Sequence, residues 1–144
     1  MQSEEPRIIG NGDIPVSTTT LPSVAQAIVG VLKHPSETAN RSVYVEDLKI
    51  TQNKILQLLH KVAPHKKYTP KYVEVDEIKK DTDEKIAKGD YSPEVMFEYL
   101  YVGVFAKGYG GAFEKLDNEL LGLKGMTEKD VEKLLEKAVA GAEV

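Results

Sequence analysis

The chain has 144 residues, of which 41% are hydrophobic and 29% charged, and it has no cysteine. The length is that of one ordinary domain, and the composition excludes wholesale disorder, disulfides, thiolate metal sites and cysteine nucleophiles. Nineteen Lys and Arg against 23 Asp and Glu give a net charge of −4, the wrong balance for a nucleic-acid-binding surface.

Residues 7–20 read as extended. Ile8 and Ile9 lead into Gly10-Asn11-Gly12-Asp13 and then Ile14-Pro15-Val16. Asn-Gly between apolar runs predicts a hairpin turn, because both residues tolerate positive φ. A helix is predicted from Thr20, a capping residue with Pro22 in the first turn, to His34-Pro35. Val24, Ile28, Val31 and Leu32 fall on one face of it and are the expected core. Ser42-Val43-Tyr44-Val45 is β-branched and aromatic, which predicts a strand buried on both faces. Thr51 caps the next helix, with Ile50 and Ile55 placed for a hydrophobic staple. Its buried stripe is Ile55, Leu58, Leu59 and Val62, and Pro64 ends it.

Residues 68–75 predict another strand, with Val73 and Val75 on one face. Asp76 is the candidate cap of a charged surface helix running to about Lys88, with Gly89 at the C′ position. Ser92-Pro93-Glu94 supplies a cap, an N1 proline and an acidic first turn in order. The helix they open, Pro93 to Lys107, is apolar almost all round, so it is buried or lines a pocket or interface. Gly108-Tyr109-Gly110-Gly111 breaks it. A short helical turn follows over 117–123. The last helix has Thr127 as cap, Asp130 at N3 and a stripe of Val131, Leu134, Leu135 and Ala138.

Little of this carries recognisable chemistry. His34, His60 and His65 match no metal-ligand spacing. There is no Gly-x-Ser-x-Gly elbow and no Tyr-x-x-x-Lys pair. Asp81, Asp83 and Glu84 sit on a lysine-rich helix and read as a solvated face. A phosphate cradle needs strand, glycine turn, then helix N-terminus. The 10–12 turn opens no helix and the 108–111 turn follows one, so both read as plain turns. One series stands out: Phe97, Tyr101, Phe105, Tyr109 and Phe113 recur every four residues, and the first three share a helical face. They read either as core packing or as the aromatic wall of an apolar ligand pocket. These five are the candidate substrate-pocket residues. No catalytic, cofactor-binding or metal-ligating residue is assigned.

The order of elements suggests an α/β fold, a few strands with flanking helices and a helical lobe at the C-terminal end. The stretch from Ile8 through Gly10-Asn-Gly-Asp13 to Ser17-Thr-Thr-Thr20 resembles the middle of NmrA-like, isoflavone-reductase-like proteins. The resemblance continues through Ala27-Ile-Val-Gly-Val-Leu-Lys-His-Pro35, Asn40-Arg-Ser-Val-Tyr-Val45 and Thr51-Gln-Asn53. Leu116-Asp-Asn-Glu-Leu-Leu-Gly-Leu123 is similar to the tail of fungal members, and the whole resemblance covers roughly residues 7–139. These proteins are atypical short-chain dehydrogenases, a Rossmann-like NAD(P)-binding half followed by a substrate lobe. The resemblance implies NADP or NAD as cofactor and a small aromatic or apolar substrate. It also permits a non-catalytic regulatory or interaction module. The family's glycine-rich nucleotide loop and catalytic lysine match no residue here. The chain therefore reads as a single partial domain, 1–144, equivalent to the C-terminal substrate lobe. It is expected to bind no dinucleotide alone and to self-associate or depend on a partner for folding. No apolar run approaches a membrane span, and Met1-Gln-Ser-Glu-Glu-Pro6 is unlike a signal or transit peptide. With no cysteine, these features lead us to expect a cytoplasmic protein that binds neither membrane nor nucleic acid.

Overall fold

All four strands among the described residues are three residues long, too short to build a sheet that holds itself together, so helices and side chains must do much of the work. The computed structural model describes residues 4–106, 108–109 and 111–141. In chain order the elements are β1 (Arg7–Ile9), β2 (Val16–Thr18), α1 (Leu21–Lys33), α2 (Pro35–Thr38), β3 (Leu48–Ile50), α3 (Gln52–Val62), β4 (Lys71–Val73), α4 (Val75–Ala87), α5 (Pro93–Phe105), α6 (Asn118–Leu121) and α7 (Glu128–Val139). The fold is mixed α/β. No described helix is long and apolar enough to cross a membrane.

Two compact units share the chain, each assembled from two separate stretches. Unit 1 takes the described residues of 1–16 and 51–111; unit 2 takes those of 17–50 and 112–144. In unit 1, β1 and β4 pair in parallel, with Ile8 opposite Tyr72, and α3 lies between them in sequence. Parallel neighbours need such a crossover, because a tight turn cannot reverse the chain twice. Ile9, Val16, Ile78, Val102 and Phe105 form the buried core, tying the sheet to α4 and α5. In unit 2, Ala27, Leu121 and Leu123 form the core, with Val31, Val43, Val45 and Leu120 packed against it.

The predicted hairpin does not form. β1 pairs with β4 and β2 with β3, so the Asn11-Gly12 turn separates two sheets instead of closing one. The turn's partner is the start of α3. Asn53 donates from Nδ2 to the Asn11 carbonyl at 2.8 Å and to Asp13 Oδ1 at 2.7 Å, and its own amide donates to the Gly12 carbonyl at 3.0 Å. Gly12 has φ +78°, and a Cβ there would meet Asn53 Oδ1 at 2.5 Å, so only glycine fits. One residue earlier, Gln52 accepts from the Ile9 amide at 2.8 Å and donates to the Arg7 carbonyl at 3.4 Å. Its carboxamide occupies the edge of β1 as another strand's peptide would.

The predicted strand at 42–45 is also absent; β3 lies further on. Residues 44–46 are instead held by side chains. Asp117 accepts from the Tyr44 amide at 2.9 Å while its own amide donates to the Tyr44 carbonyl at 2.7 Å. Asn118 exchanges two further bonds with the Glu46 backbone, 3.1 and 2.7 Å. Polar side chains satisfy the groups a ladder would have used. Tyr44 is accordingly exposed rather than central.

The helices follow their caps. Thr51 accepts from the Lys54 amide at 3.1 Å, starting α3 where expected, and Thr127 and Asp130 form a reciprocal capping box on α7. Gly89, at φ +84°, follows α4 at the C′ position. α4 begins at Val75 behind Glu74, ahead of the expected cap Asp76, which lies in the first turn where an acid suits the dipole. α5 ends at Phe105; its expected end, Lys107, lies outside the described residues, as does Gly110. Of the stripe predicted on α7, Ala138 is exposed and the rest half-buried. α1 departs most: its predicted core residues Val24, Ile28 and Leu32 are exposed, and Ala27 and Gly30 are buried instead.

In α3, Leu58 is 3% exposed and lies on the predicted stripe. Leu58→Ala is expected to cost about 2–5 kcal/mol, because the cavity left behind adds to the lost burial. Chemical denaturation measures it, and an unchanged midpoint would refute the assigned face.

Candidate functional site

α5 divides its apolar residues between two faces. Val95, Val102 and Phe105 point into unit 1, where α4 supplies Ile78 and Thr82. Tyr99 donates to Asp83 on α4 at 3.0 Å. Lys79 and the Tyr99 hydroxyl hold the Asp83 carboxyl below its ordinary pKa. The other face carries Met96, Phe97, Leu100, Tyr101 and Val104, all exposed. Positions i, i+1, i+4, i+5 and i+8 form one continuous stripe.

The five candidate residues fall as follows. Phe97 lies on this open stripe and is 65% exposed. Tyr101 lies beside it, with its ring 6.4 Å from that of Phe105 in a stacked arrangement. Phe105 is buried and joins the unit 1 core. Tyr109 follows the helix and is exposed. Phe113 belongs to unit 2. There its ring packs 5.0 Å from Tyr44, its amide donates to Ser17 Oγ at 2.9 Å, and its carbonyl accepts from Lys49 at 2.6 Å. The structure thus brings Phe97, Tyr101 and Phe105 together on one helix. The period of four loses its geometric meaning beyond the end of that helix.

Residue-by-residue reading missed Arg7. Its guanidinium lies 5.3 Å from the Tyr101 ring centroid and donates to Glu98 Oε1 at 2.6 Å. The Arg7 bond is the leading reason that the Glu98 carboxyl sits below its ordinary pKa. The signal was strand alternation: Ile9 faces the core, so Arg7, two residues earlier, faces the same side and meets α5. The site is an open aromatic and aliphatic face with one cation at its edge, suited to flat apolar molecules.

The 10–12 glycine turn does not fit a dinucleotide pyrophosphate, which needs free amides at a helix N-terminus. The Gly10 amide donates to Val73 and the Gly12 amide to Ile9, while the Asp13 amide donates to Asn11 Oδ1. Asn53 fills the space that such a ligand would need. At the other turn, a Cβ on Gly111 would meet the Val104 carbonyl at 2.3 Å. No group of metal-ligating side chains occurs among the described residues. His60 makes an edge contact with Tyr68, ring centroids 5.3 Å apart, and His34 lies 3.8 Å from Glu37.

Unit 2 holds a second polar cluster. Every hydroxyl of Ser17-Thr18-Thr19-Thr20 donates to the 45–48 segment. Ser17 bonds Glu46, Thr18 the Leu48 carbonyl at 2.7 Å, Thr19 the Val45 carbonyl at 3.1 Å and Thr20 Asp47 at 2.8 Å. Asp47 also accepts from the Thr20 amide at 2.7 Å, at the start of α1. Burial alone would raise the Asp47 carboxyl's pKa; the bonds from Ser23 and from the Thr20 amide and hydroxyl outweigh it and hold the value below the ordinary 3.8. A cavity of about 240 Å³ beside it is lined by Ser23, Gln26, Asp47 and residues 122–126.

Part of the chain is similar to a known oxidoreductase. It is 41% identical over 56 residues to "Oxidoreductase poxI" of Penicillium oxalicum, a stretch amounting to 39% of this chain and 18% of that protein. The same figures hold for the protein of that name from Penicillium oxalicum strain 114-2 / CGMCC 5302. The chain therefore spans less than a fifth of the length of the curated relatives it matches. No family model matches the chain, and no solved structure does.

A depressed carboxyl pKa stabilises the folded state above the unfolded pKa, and that stability is lost as pH falls through the lower folded value. Asp47→Asn is therefore expected to lower stability at neutral pH by roughly 1.5–3 kcal/mol, the worth of hydrogen bonds to a charged group. The gap should close as pH falls below about 3.8. Urea unfolding from neutral pH into that range checks it; a gap independent of pH would contradict the assignment.

Proposed function

We propose that this chain is the substrate-binding lobe of an NAD(P)-dependent oxidoreductase of the NmrA-like, isoflavone-reductase-like type, acting on a small aromatic or apolar molecule. The observation that carries the reading is the 41% identity over 56 residues to an oxidoreductase. The parallel β1–β4 pair, with α3 preceding β4 in the connection, supports a mixed α/β relationship. Segments that resemble the family also meet in space, residues 10–13 on 51–53 and residues 40–45 on 116–123. The substrate wall in this reading is the α5 face, with Phe97 and Tyr101 exposed, Phe105 stacked beneath Tyr101 and Tyr109 following; Phe113, in unit 2, is left out of this wall. NADP or NAD is held by residues other than these, and the chain works in a reducing, cytoplasmic setting.

A second reading is a non-catalytic regulatory or interaction module of the same type. The glycine turn favours it, since the Gly10, Gly12 and Asp13 amides are already bonded within the chain rather than offered to a cofactor.

Titration of the isotope-labelled chain with chalcone, a flat aromatic ketone, separates the two. The lobe reading expects amide shifts centred on α5, with Phe97→Ser or Tyr101→Ser weakening binding roughly tenfold. NADPH alone is expected to shift nothing. Chalcone binding elsewhere or nowhere would favour the interaction module, and micromolar NADPH binding would overturn the assignment of the cofactor to other residues.

A further inference from the structure

α1 is built inside out. Its small residues, Ala27 and Gly30, face the core of unit 2, while Leu21 and Leu32 are 82% and 76% exposed. Val24, Ile28 and Val29 are exposed between them, and Ala25 lies at the middle of the stripe. An amphipathic helix normally turns its large apolar side chains inward. Here the rotation is locked. A Cβ on Gly30 would meet Leu121 at 2.8 Å, so the backbones touch on that side and no larger face can replace it. Gln26 donates to the Gly122 carbonyl at 2.7 Å, and Asp47 pins the first turn through Thr20. The large residues cannot roll under.

We propose that α1 is a dimer surface on which a second copy of this chain packs its own α1, antiparallel about a two-fold axis. No charged residue occurs from Leu21 to Leu32, so two such faces meet without desolvating a charge. A two-fold contact uses the same patch on both copies and needs no second complementary surface. Antiparallel packing sets the helix dipoles head to tail. Ala25 lies where the axes cross and lets them approach closely. The stripe exposes roughly 500–600 Å² of apolar surface, the upper end for a patch on a monomer. Covering the whole stripe on both copies removes at most roughly 1,000–1,200 Å², the lower edge of the range for a specific interface. The inference stands apart from the proposed function, because α5 carries the substrate face and α1 shares no residue with it.

Sedimentation velocity of the full chain over a range of concentrations is the test. The expected result is a reversible dimer. Ile28→Glu should weaken it roughly a hundredfold or more, because the two-fold buries the charge twice. Leu100→Glu on α5 should leave it unchanged. The chain has no cysteine, so Ala25→Cys gives a clean second measurement: oxidation should yield a disulfide dimer, and Lys88→Cys at the end of α4 should not. The cysteine variant decides the matter if Ile28→Glu fails to fold. A monomer at every concentration would overturn the proposal. So would a dimer that survives Ile28→Glu and dissociates with Leu100→Glu, since it would lie on α5.

Discussion

Extended segments of three or four residues leave many amides and carbonyls without a neighbouring strand, and each such group costs about 1–3 kcal/mol if buried unpaired. This chain meets that cost with side chains. A carboxamide offers a donor and an acceptor side by side, as the N–H and C=O of a single residue do along a strand edge. Gln52 presents that pair to Arg7 and Ile9, and Asn118 presents it to Glu46. Asp117, Asn53 and the hydroxyl run 17–20 supply the rest. The two cores are modest, so placement of each short strand depends on these polar contacts as much as on burial.

Local signals in the sequence were reliable where one residue governs one backbone group. Thr51, Thr127 with Asp130, and Gly89 mark helix ends because their chemistry is contained within a turn. Signals that needed a distant partner failed. Asn11-Gly12 has hairpin chemistry, yet Asn53, some forty residues on, captures the turn. Val43-Tyr44-Val45 has strand composition, yet Asp117 and Asn118 pair its backbone first. The α1 face was misread for a different reason. Periodicity reports which residues share a side but not which side faces inward, and the Gly30–Leu121 approach settles that. For the candidate site, the period of four placed Phe97, Tyr101 and Phe105 on one helix, but the structure leaves Phe97 and Tyr101 on its open face and turns Phe105 into the core. The period could not supply Arg7, which reaches Tyr101 from β1.

The segments that carry the family resemblance are mostly contact partners rather than separate motifs. Arg41 grips Asp117 with two bonds, 3.1 and 2.8 Å, and its remaining donors hold the Glu37 and Ser42 carbonyls. That ion pair is the leading cause of the low Asp117 pKa. Residues far apart in sequence are thus bound to one another by geometry. None of these blocks lies on the α5 face.

Each unit is closed by residues that lie on both sides of the other in the sequence. During synthesis this sets an order. Residues 17–50 leave the ribosome before residues 51–111, but Leu121, Leu123, Asp117 and Asn118, which complete their core and bind their backbone, are made only after all of 51–111. Throughout that interval α1 has its first turn held by Asp47 but lacks Leu121 against its inner face and the Gln26 bond to Gly122. The nascent chain is thus most exposed to aggregation while unit 1 is being made, and slow translation of residues 51–111 would lengthen that exposure.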